Sequence, residues 1–209
     1  MVPTDFGQSV TAEVYCARVK GTFTDVVGVA SLGADSNSLA APQATCPAKT
    51  RLVSGGYASG ETGVDPPSSF IFESRRQGQN GWVSQALRAG DETDATQFTV
   101  HAYCFKPSKP KAKSKGKKPR KRIVLPRPLS EVAATATLGG ADGSHAAATT
   151  GPCSGKLKGI SGGFSSSVPS EAGAADFTAA HYLAGAWTVG ATQIVDGNPV
   201  SITAYEYCG

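Results

Sequence analysis

Histidine side chains are the first candidates for acid–base chemistry, and the 209-residue chain contains three of them. His101 lies in a strand-like segment, His145 in a Gly/Ala-rich loop and His181 shortly before Trp187. A triad enzyme needs a nucleophile, a base and an orienting acid that meet in space. These scattered positions indicate no such set, although distance along the sequence does not by itself exclude one. We therefore expect a protein that is not an enzyme and that has no cofactor.

Acidic side chains could instead hold a metal ion. Asp91, Glu92 and Asp94 cluster in one turn, and Ca²⁺ prefers several oxygen ligands. The three residues lack the regular spacing of a calcium-binding loop. A solvated turn is therefore the favoured interpretation, and we expect no metal site.

Five cysteines carry the clearest chemical signal. None of them has the close spacing of a zinc site or of a redox Cys-x-x-Cys motif. The long intervals between Cys46 and Cys104, and between Cys153 and Cys208, suit disulfide bonds between strands. Such bonds would stabilise each enclosed segment by about 4 kcal/mol on the chain-entropy model, and they would require an oxidising compartment. Buried free thiols are the alternative. Cys16 is left over, either as the remnant of a lost bond or as the site of an intermolecular bridge.

Basic side chains are concentrated in one segment, residues 106–127. It holds 11 of the 20 Lys and Arg residues and no acid, which leaves 9 basic against 16 acidic residues in the remainder, a net charge of −7. The eleven cations are Lys106, Lys109, Lys111, Lys113, Lys115, Lys117, Lys118, Arg120, Lys121, Arg122 and Arg127.

Two functions fit this basic segment. Like charges and proline should keep it extended and unfolded, so it could serve as a spacer of about 60 Å. Eleven cations exceed what a spacer needs, however, and they would attract a polyanion in a salt-dependent manner. The segment has no aromatic residue on which single-stranded nucleic acid could stack. We expect the eleven cations to bind an anionic surface polymer.

An internal repeat places these residues on common elements. Residues 46–57 return as residues 153–164 at an offset of 107, and residues 98–104 return as 202–208 at an offset of 104. The small drift is typical of loop deletions between equivalent strands. Residues 9–16 echo residues 201–208, so the chain begins with what resembles the last strand of another copy.

Most of the local pattern is typical of β-strands. In residues 97–105, Phe98, Val100, Ala102 and Cys104 alternate with polar and aromatic residues, a period of two that places one set against a core. Residues 70–73, 81–87 and 186–194 also predict strands, and residues 171–181 show only a weak helical period. Glu206 interrupts the apolar face of its segment, which predicts an edge position there.

Two further motifs recur in both copies. Trp82 and Trp187 each lie between a pair of cysteines, as a core tryptophan packed on a disulfide does in an immunoglobulin-type sandwich; a surface tryptophan that binds a sugar is the alternative. The Ser-Gly-Gly-aromatic motif at 54–57 and 161–164 predicts a bulge or a tight turn with positive φ. The sharper alternative is an anion-binding nest of backbone N–H groups.

The assembled pattern is Cys, Lys, Val or Ile, Ser-Gly-Gly-aromatic, a variable middle, Trp, and Thr-x-x-x-Tyr-Cys. It resembles tandem modules of secreted or surface proteins from high-GC Gram-positive bacteria and of some tail proteins of their phages. The likeness covers about 80 residues of each copy and the N-terminal strand. It implies an extracellular, non-catalytic β-module, and the basic segment lies outside the pattern.

We therefore expect an all-β protein with two tandem antiparallel β-sandwich domains in an immunoglobulin-like arrangement. Residues 22–105 and 128–209 form the domains, each with one disulfide; 106–127 is a disordered basic linker and 1–21 the N-terminal strand. The expected function is extracellular or cell-surface display, with the linker attracting anionic polymer. The alternative is a subunit of a phage tail or extracellular assembly that docks a protein partner through residues 9–16. No apolar run has the roughly 20 residues of a transmembrane helix.

Overall fold

Thirteen β-strands make up the computed structural model, which describes residues 21–60, 69–88, 90, 92, 94–108, 129–167, 175–194 and 196–209. The strands are β1 (Gly21–Leu32), β2 (Leu39–Ala40), β3 (Gln43–Thr45), β4 (Arg51–Ser59), β5 (Ser69–Gln77), β6 (Gly81–Arg88), β7 (Thr96–Pro107), β8 (Ser130–Leu138), β9 (His145–Thr149), β10 (Gly159–Ser166), β11 (Ala175–Leu183), β12 (Ala186–Gln193) and β13 (Val200–Cys208). These described residues include no helix. The all-β class is confirmed. Strands β1 to β7 are called the first half below, and β8 to β13 the second half.

The strands form three sheets in which every pairing is antiparallel. Two sheets have three strands each, in the orders β1-β7-β4 and β11-β12-β9. The third has seven strands in the order β2-β6-β5-β10-β13-β8, with β3 also pairing with β6. Both halves contribute to this sheet, because Phe164 and Ser165 of β10 pair with Ser74 and Glu73 of β5. Two separate immunoglobulin-like domains are therefore not confirmed.

Burial in β7 follows the alternation that the sequence predicts. Phe98, Val100, Ala102 and Cys104 are at most 1% exposed, and the residues between them face outward or are partly exposed. Period-two alternation places one set of side chains on the core face of a strand. The weak helical period over 171–181 does not produce a helix in the described residues, since β11 occupies Ala175–Leu183.

The core consists of buried clusters that join strands of facing sheets. In the first half, Leu52 of β4 and Val100 of β7 pack with Trp82 of β6. In the second half, Phe164 of β10 and Ile202 of β13 pack with Val189 of β12. Each half is thus a β-sandwich whose apolar faces are buried against each other.

Disulfide bonds join Cys46 to Cys104 and Cys153 to Cys208, the pairs that the repeat predicts. Cys46 and Cys104 belong to the same buried cluster as Trp82. The prediction of a core tryptophan packed beside a disulfide is confirmed for Trp82.

The repeat of the sequence is also a repeat of structure. By pairing and register, β1, β4 and β7 correspond to β8, β10 and β13, and β5 and β6 correspond to β11 and β12. Register shifts fall at equivalent places, at Val53 and Ile160 and at Phe72 and Thr178. These bulges extend the equivalence beyond the residues that are alike in sequence.

The Ser-Gly-Gly-aromatic motifs lie within strands β4 and β10. The predicted bulge is confirmed immediately before each motif, at Val53 and Ile160. The predicted tight turn with positive φ is wrong, because none of the four motif glycines, all described, has a positive φ. Both elements are continuous strands whose pairing with β7 and β13 runs through the glycines.

The first residue after the serine of each motif must be glycine because a tryptophan ring packs against it. A Cβ on Gly55 would collide with the indole ring of Trp82, and a Cβ on Gly162 would collide with the ring of Trp187. Each glycine therefore admits a flat ring against the backbone of the facing strand. The second glycines differ, because the space at Gly56 is open whereas a Cβ on Gly163 would meet the backbone of β5.

Glu206 lies in an interior strand, so the predicted edge position is wrong. Its strand, β13, runs between β10 and β8, and Glu206 is 0% exposed. The Thr150 hydroxyl donates a hydrogen bond of 2.7 Å to the Glu206 carboxylate and accepts one of 2.9 Å from the backbone N–H of Trp187. Hydrogen bonding of this kind allows a polar side chain to occupy a core position.

Replacement of Gly55 by Ala should destabilise the fold by about 1–3 kcal/mol, because the new methyl group overpacks the Trp82 ring. Gly56→Ala is the matched control, since its methyl group enters open space in the same strand and should change the free energy of unfolding by less than about 0.5 kcal/mol. Urea unfolding followed by tryptophan fluorescence measures both values. Equal effects of the two substitutions would contradict the packing argument.

Candidate binding cleft between the two halves

A cleft of about 1020 Å³ lies between the two halves on one side of their interface. Strands β4 and β11 line it from the two three-stranded sheets, and β10 lines it from the seven-stranded sheet. Residues 54–57 and 161–164 bring both Ser-Gly-Gly-aromatic motifs to its surface, and Trp82 and Trp187 contribute to the same lining. The repeated residues of the sequence thus converge on one place.

Aromatic rings dominate the apolar part of this lining. Tyr57 and Tyr103 are 42% and 41% exposed, and the Tyr57 ring meets the edge of Phe164 across the two halves, with 6.3 Å between ring centroids. The Ser161 hydroxyl of β10 donates a 2.8 Å hydrogen bond to the backbone carbonyl of Val53. Aromatic surfaces with a few convergent polar groups are typical of ligand sites.

Burial raises the pKa of the Tyr57 hydroxyl, and the carboxylate of Asp176 raises it further. Although much of the Tyr57 side chain is exposed, the surrounding protein disfavours a phenolate at this position. Tyr57 therefore remains a neutral hydroxyl that can donate and accept hydrogen bonds.

On the opposite side, the halves are held together by two arginines and two tyrosines. The Arg76 guanidinium lies over the Tyr207 ring at 4.9 Å, and the Arg75 guanidinium lies 5.7 Å from the centroid of Tyr205. The Tyr207 hydroxyl accepts a 2.8 Å hydrogen bond from the backbone N–H of Arg76. Cation–π contacts and a part-buried hydrogen bond together hold this side of the interface. We call these four residues the Arg–Tyr clamp.

Tyr207 also reaches into the core of the other half. It is 1% exposed and packs with the buried cluster of the first half. Its ring stands nearly perpendicular to Trp82, with 5.7 Å between centroids. Edge-to-face contacts of this kind add to the stabilisation that burial provides.

The cleft side lacks the clamp because the equivalent residues differ. Strand register matches His181 and Tyr182 to Arg75 and Arg76, and His101 and Tyr103 occupy the positions of Tyr205 and Tyr207. His101 stacks on Tyr103 within its own half, with 6.2 Å between ring centroids. Without guanidinium groups, this side offers no equivalent cation–π contact.

Trp187 carries a hydrogen-bond donor without a partner. The Trp82 indole N–H donates to the Ser74 hydroxyl at 3.0 Å, but the position equivalent to Ser74 is Ala180. Among the described residues, the buried Nε1 atom of Trp187 consequently has no hydrogen-bond acceptor. A buried donor that lacks a partner is costly and provides a place for an acceptor atom from outside the chain.

The three histidines do not come together. His101 contacts the Asp25 carboxylate at 2.9 Å, and His145 contacts the Thr192 hydroxyl at 2.7 Å. His145 begins strand β9, so the predicted loop at this position is wrong. His181 is part of the lining of the cleft.

The predicted acidic turn is described only in part. Asp91 lies outside the described residues, and the backbone N–H of Glu92 donates to the carbonyl of Ala34. In the described part of the chain, one group of three potential metal ligands comes together, namely Cys153, Glu206 and Cys208. Both of its sulfur atoms belong to a disulfide, so they are not available as thiolate ligands.

Most residues assigned to polymer binding lie outside the described residues. These are Lys109, Lys111, Lys113, Lys115, Lys117, Lys118, Arg120, Lys121, Arg122 and Arg127. Lys106 is described and exposed, and it lies in β7 opposite Thr22. Cys16 and the N-terminal strand, residues 9–16, also lie outside. Within the described residues, no helix has the length and apolarity that crossing a membrane requires.

The sequence shows the two motifs of the cleft but neither their convergence nor the Arg–Tyr clamp. A signal for the clamp was present, because Ser74, Arg75 and Arg76 stand where the other copy has Ala180, His181 and Tyr182. Recognising it requires the β5–β11 equivalence, which rests on strand register rather than on sequence identity.

Comparison of the chain with protein-family models, with curated proteins and with solved structures finds no match.

Removal of the Tyr207 hydroxyl should destabilise the protein by about 1 kcal/mol at pH 7, because Tyr207→Phe leaves the part-buried N–H of Arg76 without this acceptor. Tyr103→Phe is the control at the equivalent but half-exposed position, and its effect should stay below about 0.5 kcal/mol. Urea unfolding measures both. Equal losses would contradict the assignment of Tyr207 to the interface.

Ionisation of the Tyr207 hydroxyl should make the stability of the protein depend on pH. Burial raises the pKa of Tyr207, so the folded-state pKa lies above the unfolded value of about 10. The resulting stability is present below pH 10 and is lost as the pH rises above it, because only the unfolded chain then ionises readily. The free energy of unfolding should fall between pH 9 and pH 11, and more gradually in Tyr207→Phe; identical slopes would contradict this.

Proposed function

We propose that the protein is a non-catalytic, extracellular binding protein that uses the cations of residues 106–127 to attach to an anionic surface polymer. The two β-sandwich halves form a rigid body that displays this segment. The charge of the segment supports the proposal, since eleven cations without an acid stand in a chain that is otherwise at −7. Such a concentration of one sign attracts polyanions.

The continuous sheet is the observation that carries this proposal. The halves contact each other directly through the pairing of β5 with β10 and through the Arg–Tyr clamp. A segment that only kept two domains apart would have no purpose between halves that share a sheet and a core cluster. Direct contact between the halves therefore supports polymer binding over a spacer role.

Both ends of the segment are attached to the body. Lys106 lies in β7, paired with β1, and the carbonyl of Leu129 accepts a hydrogen bond from the Arg76 guanidinium. Leu129 also packs against the buried cluster of the first half. A single segment that carries many cations favours multivalent contact with a long polymer.

The two disulfides support an extracellular location, because disulfides persist in oxidising compartments. Each one links the strand that ends a half to the loop before β4 or β10. The bonds would preserve the body in the absence of cellular repair.

Retention on an immobilised polyanion tests the proposal. The full chain should bind to polyphosphate resin at about 50 mM NaCl and elute at a few hundred millimolar, because bound cations displace counterions from the polymer. Replacement of all eleven cations by Ser should abolish retention. Unchanged retention of that variant would refute the proposal.

A matched pair of triple variants locates the interaction. Lys113, Lys115 and Lys117 changed to Ser should elute at clearly lower salt than the full chain. The control changes the exposed Lys49, Lys156 and Lys158 to Ser, which removes the same charge from the body. If both variants eluted at the same salt concentration, the net charge of the whole protein rather than the segment would govern binding.

A further inference from the structure

We propose that the cleft between the halves takes up an extended, uncharged peptide of another protein as an additional β-strand between β4 and β11. This binding site is separate from the basic segment and does not depend on the proposed attachment to a polymer. It follows from the internal repeat: β5 pairs with β10, but the equivalent strands β11 and β4 do not pair with each other in the described residues.

The repeat defines which strands should pair. β5 of the first half pairs with β10 of the second. Exchange of the two halves converts this pair into β11 and β4, and in the described residues these two are instead the terminal strands of separate sheets. Both line the cleft, so the cleft occupies the position of the missing pairing. Unpaired strand edges present main-chain donors and acceptors that bind extended peptides.

The volume of the cleft suits one short strand. A strand within a sandwich occupies roughly 160 Å³ per residue, from a rise of about 3.3 Å, a strand spacing of about 4.8 Å and a sheet spacing of about 10 Å. A cleft of about 1020 Å³ therefore accommodates a segment of about six residues. That length is common for a β-strand.

Two equivalent glycines show where the backbone of the peptide would lie. A Cβ on Gly163 would meet the carbonyl oxygen of Ser74 and the Cα of Arg75, so this glycine admits the β5 backbone. Gly56 is the equivalent residue on β4, and nothing lies within 4 Å of its Cβ position. Both glycines therefore leave room for a neighbouring strand. At Gly163 that room is filled by β5, whereas at Gly56 no described residue fills it.

The polar groups of the cleft define the chemistry of the peptide. The described residues that line the cleft include no Asp, Glu, Lys or Arg. The Asp176 carboxylate, which raises the pKa of Tyr57, disfavours an acidic peptide, so an uncharged segment suits this surface. The unpartnered N–H of Trp187 requires an acceptor, and a backbone carbonyl supplies one. At one end, the carbonyl of Val53 is already bonded to the Ser161 hydroxyl, so we expect the added strand to pair with β4 from Ser54 onward.

A neutral β-forming peptide tests this inference on the full chain. The probe is acetyl-Thr-Val-Thr-Val-Thr-Val-amide, and the readout is the ¹H–¹⁵N signals of the indole groups. The chain has two tryptophans, and the indole N–H of Trp82 already donates a hydrogen bond to the Ser74 hydroxyl. At about 1 mM peptide, the Trp187 signal and the amide signals of residues 54–57 and 178–181 should shift. The Trp82 indole signal should change much less.

Backbone pairing is tested with an analogue of the same peptide that is N-methylated at alternate residues. It has the same side chains but cannot donate hydrogen bonds along one edge, so its affinity should fall by about tenfold or more. Equal binding of the two peptides would overturn strand addition. This comparison uses the unaltered protein, so the folding of a variant does not affect it.

A variant pair tests the location. Gly56→Val fills the open space on β4 with a residue that strands favour and should weaken binding by about tenfold. Gly151→Val, at an exposed glycine that also has nothing within 4 Å of its Cβ position, should bind as the original chain does. Equal affinities of the two variants would overturn the placement in the cleft.

Aromatic clefts also bind saccharides, so an oligosaccharide serves as the control ligand for this proposal. If an N-acetylglucosamine tetramer shifted the Trp187 signal and the peptide did not, the cleft would be a saccharide site and the proposal would be wrong. No response to the peptide at about 1 mM would also overturn it. The proposal is supported if the peptide shifts the Trp187 signal and the N-methylated analogue does not.

Discussion

The arrangement of the two halves depends on Tyr207, a residue of the second half that is buried in the core of the first. Its ring contacts Trp82 on one side and the Arg76 guanidinium on another, while its hydroxyl accepts the Arg76 N–H. Burial of a large ring, a cation–π contact and a hydrogen bond act here together. Because these contacts join different halves, they hold β5 and β10 close enough to share a sheet.

The same constraint explains why the molecule is asymmetric although its halves are repeats. One side of the interface has arginines opposite tyrosines, and the equivalent side has His181 and Tyr182 in place of the arginines. Tyr103 consequently remains 41% exposed, whereas Tyr207 is 1% exposed. The first side closes into a continuous sheet and the second remains a cleft, so a few substitutions between copies create a concave surface that neither copy has alone.

Two surfaces of different chemistry result. The basic segment, residues 106–127, carries eleven cations and no acid, which suits a long polymer recognised by charge. The described lining of the cleft has aromatic walls and no Asp, Glu, Lys or Arg, and β4 and β11 are terminal strands of their sheets in the described residues. These features suit a partner recognised by shape and backbone hydrogen bonds. Attachment through the first would leave the second free to bind a protein.

The sequence by itself determined several of the strands, the repeat and the disulfide partners, because period-two alternation and recurring Cys positions are local signals. It missed β9 at His145 and β11 at Ala175–Leu183. It also marked the Ser-Gly-Gly-aromatic motif, but the reason for Gly55 and Gly162 lies in the tryptophan rings of facing strands. Glu206 was misplaced for a similar reason, since the Thr150 hydroxyl that satisfies it comes from a loop distant in sequence. Only the tertiary structure decided that β5 pairs with β10 while β4 and β11 stay apart. That choice depends on contacts between halves, and the pattern of either half alone does not contain them.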